Sequence, residues 1–161
     1  MIENKPILRE YKIRDVFFGE SVTVIQPSNL YGCDIGDECF IGPFVEIQKG
    51  STIGARTRIQ SHSFICELVT LGEDCFVGHG VMFVNDRFST GGPSRGNRSL
   101  WQKVEVGNRV SIGSNATILP VEICDDVVIG AGAVVTHAIK KPGTYVGNPA
   151  RLVEKSNQCL S

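Results

Sequence analysis

Four residues able to move protons or hold polar groups, His62, Glu67, His79 and Asn85, fall inside the stretch "HSFICELVTLGEDCFVGHGVMFVND". Imidazoles accept and return protons near neutral pH, while a carboxylate and a carboxamide fix the position of an amine or hydroxyl. Such a set suits attack by a positioned nucleophile with acid–base assistance. His62 and His79 stand 17 residues apart, and Glu67 and Asn85 stand 18 apart. Taken singly, each could be a solvated surface residue, Glu67 above all. The shared spacing sets the group apart.

That spacing follows from a beat of six in the surrounding chain. Ile35, Ile41, Ile47, Ile53, Ile59, Ile65, Leu71, Val77 and Phe83 recur at strict steps of six. Four residues after each of the first eight come Cys39, Val45, Ser51, Thr57, Ser63, Val69, Cys75 and Val81, all small or β-branched. A second ladder runs Val106, Ile112 and Ile118, then Ile123, Ile129 and Val135; Phe18, Val24 and Leu30 make a less regular opening coil. Neither a 2.0 nor a 3.6 period alone gives this pattern. A short strand plus a turn does, with residues four, five and six along alternating in, out, in. Three such units close a triangular coil, and coils stack through an aliphatic column in which each anchor contributes roughly 1.5–3 kcal/mol. Glycine follows many anchors (Gly36, Gly42, Gly54, Gly72, Gly78) and is expected there to supply a positive-φ turn. Steps of five, Leu30 to Ile35 and Ile118 to Ile123, are deletions for the turns to absorb.

On this frame His62 and His79 project from one corner of adjacent coils, and Glu67 and Asn85 share the next corner. There the beat stops, and Val106 follows Phe83 by 23 positions. The chain leaves the prism after Asn85 and returns at 101–106, so a loop over 86–103 protrudes from coils spanning about 16–150. Its middle, residues 89–97, is turn chemistry with a mobile centre. A surface insertion is cheap, since doubling a loop costs only about 0.6 kcal/mol. Asp86, Arg87, Phe88 and Trp101 nevertheless bracket this one with groups suited to binding, and long loops in compact repeat proteins are often functional. A tail over 140–161 is expected to leave the coil as a short capping helix or strand.

The 161 residues have room for one sizeable core, and a formal net charge of −1 offers no basic field for nucleic acid or an anionic membrane. No basic start leads into an apolar run and no stretch approaches about 18 apolar residues, so a cytoplasmic protein without a membrane partner is expected. Six cysteines form no CxxC pair. Cys39 and Cys75 occupy repeat positions shared with Ser, Thr and Val and read as small buried hydrophobes. Cys33, Cys66, Cys124 and Cys159 make no recognisable ligand set.

The pattern [LIV]-[GAED]-x-x-[STAV]-x resembles the hexapeptide-repeat, left-handed parallel β-helix family over about residues 16–150, which implies an all-β fold. Within that family, "IQSHSFICELVTLGEDCFVGHGVMFVNDRF", "SIGSNATILPVEICDDVVIGAGAVV" and the "GNPAR" tail resemble N-acetyltransferases acting on nucleotide-linked 3-amino sugars. The resemblance implies a homotrimer of parallel subunits with acetyl-CoA between neighbours, a UDP- or dTDP-linked amino sugar as acceptor, no metal, and a role in cell-surface polysaccharide synthesis. It puts Gly147, Asn148, Pro149 and Ala150 near the adenosine end of acetyl-CoA and the amides of Ala131 and Gly132 along its pantetheine arm. Gly113, Lys141 and Arg151 fall on the same cofactor side. Asn85 falls beside the sugar amine, with His79 and His62 as polar partners or proton acceptor. Gln60, Glu67, Asp86, Arg87 and Arg95 fall on the sugar nucleotide. Relatives continue "ND-x-[YF]-P-R-[AS]", whereas here Ser89, Thr90, Gly91 and Gly92 separate Phe88 from Pro93, so Arg95 replaces the family arginine from a shifted position.

In the implied reaction a neutral amine attacks a thioester carbonyl, an oxyanion forms and a thiolate leaves. Positioning carries much of the rate. Donors to the oxyanion add roughly 10²–10³-fold each, and a base adds about 10²–10⁴-fold. The thiolate can itself collect the proton, so neither histidine need be essential. Three other readings use the same scaffold. An O-acetyltransferase relies on a catalytic histidine in a motif this chain does not place. A γ-type carbonic anhydrase needs three histidines around a metal; this chain has 3, but His137 is expected three coils above His79, too remote at about 4.8 Å per coil. A non-enzymatic scaffold would need neither the loop nor the GNPAR tail.

Overall fold

The computed structural model describes residues 12–153. The in–out–in alternation yields strands of two to four residues, and three faces of such strands wind into an all-β parallel β-helix. The first sheet has seven strands: Ile13–Arg14, Asn29–Tyr31, Glu46–Ile47, Phe64–Ile65, Met82–Phe83, Thr117–Ile118 and Val134–Val135. The second has six, running from Phe17–Phe18 through Val69–Leu71 and Val104–Val106 to Glu122–Ile123. The third has eight, from Thr23–Val24 to Gly143–Val146 and Arg151–Leu152. Of the two forms expected for the tail, strand is what forms: Gly143–Val146 adds in parallel to Val127–Ile129, and Arg151–Leu152 returns antiparallel on it. Cys159 and the rest of the tail lie outside the described residues. Among the described residues no helix is long and apolar enough to cross a membrane.

The anchors stack in register, Ile53 on Ile35, Leu71 on Ile53 and Val106 on Leu71. The last pairing spans the loop without disturbing the ladder. Ile41, Ile47, Ile59, Ile65 and Val77 are wholly buried, as are Cys39 and Cys75. Hydroxyls at the small position are paired. Ser51, Thr57 and Ser63 donate to the carbonyls of Cys66, Gly72 and Gly78 at 2.8, 3.0 and 2.8 Å. A buried hydroxyl left unpaired would cost on the order of 1–3 kcal/mol, so these bonds let the core carry serine without loss. The five-residue steps shorten the coil to 17, as in the pairing of Ile118 with Val135.

The glycines after the anchors do not take the expected positive φ. Gly36, Gly42, Gly54, Gly72 and Gly78 all lie outside that region, and the left-handed residue comes two positions later, as Glu38, Phe44, Arg56, Asp74 and Gly80. Clearance explains the glycines instead. A Cβ on Gly54 would lie 2.4 Å from the Gly72 carbonyl carbon, and one on Gly78 would lie 2.7 Å from the Ser114 nitrogen. The next coil passes too close for any side chain.

The corner between the second and third sheets carries an ion ladder at its left-handed positions. Arg56 chelates Asp74 at 2.7 and 2.9 Å, and Arg109 chelates Asp126 at 2.7 and 3.0 Å. Hydrogen bonds from these guanidinium groups hold the Asp74 and Asp126 carboxyls below the usual carboxylate range. Asp125 is held down as well, first by the Asn108 amide.

Candidate active site

The outward face of the first sheet (Phe64, Met82, Thr117, Val134) is flanked by the two corners the sequence singled out. At the corner entering it, Ser61 Oγ lies 2.8 Å from His79 Nδ1, and the His79 amide donates to Ser114 Oγ at 3.2 Å. The Ser61 contact holds Nδ1 and leaves Nε2 without a hydrogen-bond partner among the described residues. His62 shares the corner but does not stack on His79. Its ring lies on Phe44, with centroids 4.9 Å apart and planes at 27°. The residue one coil above His62 is Gly80, whose amide donates to the Ser61 carbonyl. Ser61 and His79 are 18 residues apart, so the full-coil spacing pairs them, whereas the 17-residue spacing of the two histidines is one position off.

Higher on the same corner, the Gly132 amide donates to the Ser114 carbonyl at 2.9 Å and the Gly113 amide to the Ile129 carbonyl at 2.7 Å. Both are spent inside the coil. The Ala131 amide has no acceptor among the described residues. A Cβ on Gly132 (φ +69) would meet nothing within 4 Å, so the backbone there is open to an approaching ligand. The Gly147 carbonyl accepts from Val134 at 2.9 Å and the Ala150 amide donates to the Val134 carbonyl at 2.8 Å. Those bonds hold Asn148 and Pro149 at the upper end of the same face. Lys141 and Arg151 are exposed on the tail; the Lys141 carbonyl accepts from Tyr145 and the Arg151 guanidinium donates to the Ala150 carbonyl.

At the corner leaving the face, Asn85 Nδ2 donates to the Glu67 carbonyl at 3.1 Å, which leaves Oδ1 as the free end of the amide. The Glu67 carboxylate pairs with Arg98, which returns from the loop and also lies over the Trp101 ring. The loop is folded, not merely turn-rich. Both Asp86 oxygens accept loop amides, from Phe88 at 2.8 Å and Ser94 at 3.1 Å. Trp101 Nε1 donates to Ser94 Oγ at 2.7 Å, and Arg87 reaches the Pro120 carbonyl at 2.5 Å. Asp86 and Trp101 bridge antiparallel at the base. Val84, Asp86, Arg87, Phe88 and Leu119 line an open cavity of about 490 Å³; Asn85 lies between two of these residues in the chain and does not itself line it. Arg95 is exposed in the loop at φ +49, and Gln60 is half-buried on the His79 corner below Gly78.

His79 and Asn85 therefore flank one face at the level of a single coil and make no contact within the chain. His137 does not stand above His79 as expected. It follows Val135, which lies over Ile118 and in turn Phe83, so it belongs to the Asn85 corner two coils up. Among the described residues no group of three His, Cys, Asp or Glu is placed to share a metal. The sequence reading missed Ser61, Ser114 and Arg98. Strict full-coil register would have found Ser61, but nothing in the sequence announces which loop residue folds back onto Glu67.

Two family models match: the hexapeptide repeat of succinyl-transferase over residues 103–137 and the bacterial transferase hexapeptide of six repeats over 32–67. Among curated proteins the chain is similar to the bifunctional protein GlmU of Trichodesmium erythraeum, 31% identical over 122 residues, covering 75% of this chain and 23% of that protein. GlmU of Streptococcus uberis is 27% identical over 151 residues, covering 89% and 32%. The chain thus spans about a quarter to a third of the length of these relatives. Among solved structures it is similar to a mutant of AntD, an N-acyltransferase from Bacillus cereus in complex with dTDP and coenzyme A. That likeness has a TM-score of 0.75 at 24% identity and covers 87% of this chain and 83% of that one. A mutant of perosamine N-acetyltransferase from Caulobacter crescentus, in complex with CoA and GDP-perosamine, matches with a TM-score of 0.65 at 22% identity, covering 86% and 58%. At these identities the likeness is one of fold.

Proposed function

Because this chain belongs to the hexapeptide-repeat family, we propose that it transfers an acetyl group from acetyl-CoA to the amine of a UDP- or dTDP-linked 3-amino sugar, in a cytoplasmic step of cell-surface polysaccharide synthesis. The observation that carries this reading is the fixed amide of Asn85. With Nδ2 held by the Glu67 carbonyl, Oδ1 accepts an N–H of the sugar amine and aims the nitrogen lone pair. Support comes from the similar folds solved with coenzyme A and sugar nucleotides or their nucleotides.

The nitrogen lone pair forms the new C–N bond at the thioester carbon, and the C–S electrons leave with the thiolate of coenzyme A. The proton shed by nitrogen passes to His79 Nε2 or directly to the thiolate. Ser61 Oγ accepts from His79 Nδ1–H in the tautomer that leaves Nε2 basic. His79 and Asn85 stand at one coil's height on opposite edges of a face, and a parallel threefold assembly preserves height. A homotrimer then brings the His79 edge of one protomer to the Asn85 edge of the next, placing each site between subunits. Acetyl-CoA enters along the corner where the Ala131 amide is open and Gly132 leaves room, with Lys141, Asn148, Pro149 and Arg151 toward its far end. His62, Gln60, Arg87 and Arg95 face the sugar nucleotide, while Glu67 and Asp86 act through the loop they hold. A panel of UDP- and dTDP-linked 3-amino sugars with acetyl-CoA, followed by thiol release, tests the reading; turnover of none of them refutes it.

A further inference from the structure

The open cavity lined by Val84 and Phe88 has two unlike walls. Val84 and Leu119 form the first, one above the other on successive coils, as the register of Phe83 with Ile118 requires. The second is Phe88, whose side chain is 60% exposed although it is among the largest apolar groups in the chain. Its backbone is left-handed, at φ +53. Only Phe88 and Arg95 among the non-glycine residues of positive φ lie in the loop; the others occupy coil corners, where the turn geometry demands it. Bulky side chains disfavour this region, and here it is imposed locally. Asp86 Oδ1 takes the Phe88 amide at 2.8 Å, and the Phe88 carbonyl takes the Gly91 amide at 2.8 Å. The second Asp86 oxygen anchors Ser94 on the returning arm. The loop thus uses a carboxylate and two turn bonds to hold an apolar ring out of the core, opposite an aliphatic wall.

We infer that Phe88 is the stacking wall for the pyranose ring of the acceptor, with Val84 and Leu119 behind it. The identity of the sugar rests on the N-acetyltransferase reading; the stacking itself does not. A pyranose presents a face of C–H bonds that packs against the electron-rich face of an aromatic ring. Its amine and hydroxyls project from the rim, where Asn85 Oδ1 is free and Arg87 spends a single N–H on Pro120. The cavity, about 490 Å³, falls within the roughly 300–1,000 Å³ of small-molecule sites. A nucleobase also stacks, but the amine must reach Asn85, and the base lies a diphosphate away from it. Phe88 therefore sets where the ring sits, and Asn85 sets where the nitrogen points.

The test is binding of non-reacting probes to the full chain, by titration calorimetry. UDP-glucose and dTDP-glucose are compared with UDP and dTDP, for wild type, Phe88→Ala and Phe88→Tyr. Loss of the ring weakens the sugar nucleotides about three- to tenfold, leaves the free nucleoside diphosphates within about twofold, and is restored by Tyr. The inference is overturned if Phe88→Ala weakens the nucleoside diphosphates equally, if it weakens nothing, or if wild type binds the sugar nucleotides no more tightly than the diphosphates. Absence of thiol release with every 3-amino sugar, alongside intact Phe88-dependent probe binding, would refute the transferase reading and leave this one standing.

Discussion

Replacing Gly54 by alanine separates two explanations of the repeat glycines by the sign of the effect. Gly54 lies outside the positive-φ region, so on conformational grounds alanine should be tolerated there. By restricting the unfolded chain it would even stabilise by about 0.4–1 kcal/mol. Clearance predicts the reverse. The added Cβ would sit 2.4 Å from the Gly72 carbonyl carbon and 2.5 Å from its oxygen, against the 3.4 Å at which ordinary contact begins. The shortfall is about 1 Å and the obstacle is backbone, so the coils must part locally and strain the Gly54 N–H to Leu71 carbonyl bond, now 2.9 Å. Overpacking of that kind costs about 1–3 kcal/mol, and a rigid obstacle favours the upper end. For a chain of this size a loss of about 3 kcal/mol lowers Tm by roughly 6–12 °C. Two controls bracket it. Gly50→Ala, at φ +76 with nothing within 4 Å, should lose about 1 kcal/mol from conformation alone. Gly92→Ala, in open space without positive φ, should be neutral or slightly stabilising. Thermal and urea unfolding of the three variants reads the order. A Gly54→Ala protein as stable as wild type would refute the clearance argument.

Acid should weaken the ion ladder. Asp74 and Asp126 have folded-state pKa values below their unfolded ones, so their contribution is present above about pH 4 and fades as pH falls through the folded values. Asp126→Asn should lower Tm at pH 6–7, where the wild-type pair is intact, and converge with wild type as the pH falls below about 4, flattening that part of the Tm–pH curve. Breaking the Glu67–Arg98 pair with Arg98→Ala should cost at most about 1 kcal/mol of stability, since Arg98 is half exposed. The same change should speed proteolysis within residues 86–103; an unchanged cleavage rate would show that the pair does not hold the loop. Native protein should leave Cys33 and Cys66 unreactive toward a thiol reagent at pH 8, because burial pushes these thiols up to about 11 and about 12. Cys124, partly exposed, should react first among the described cysteines, and rapid labelling of Cys66 would contradict the packing.

The column of anchors was legible because a two-residue strand leaves no freedom: one position in every six must be large, apolar and inward. The small position four residues on was legible for the same reason, and the loop showed itself as a break in phase. The role of the glycines was not legible, since sequence periodicity cannot tell a turn that needs positive φ from a coil that passes too close. Gly54 directly follows its anchor and is needed for clearance, whereas Gly50 comes three residues after Ile47, where the left-handed turn falls. Corner assignment was accurate to one residue, which suffices to place His79 and Asn85 on two edges of one face. It missed Ser61 as the residue in full-coil register with His79, and it put His137 above His79, whereas His137 follows Val135 as Asn85 follows Phe83. The loop's interior was least legible. Arg98 on Glu67 and the outward ring of Phe88 depend on contacts between residues of no fixed period.

The most direct measurement is kcat/KM of Asn85→Ala with the 3-amino sugar nucleotide and acetyl-CoA, read as thiol release. If the fixed amide positions the amine, kcat/KM falls about a hundredfold, the scale of a misplaced nucleophile, while Tm stays within about 2 °C of wild type because the side chain makes a single hydrogen bond at a half-buried corner. A variant that keeps wild-type kcat/KM would contradict the assignment of this site.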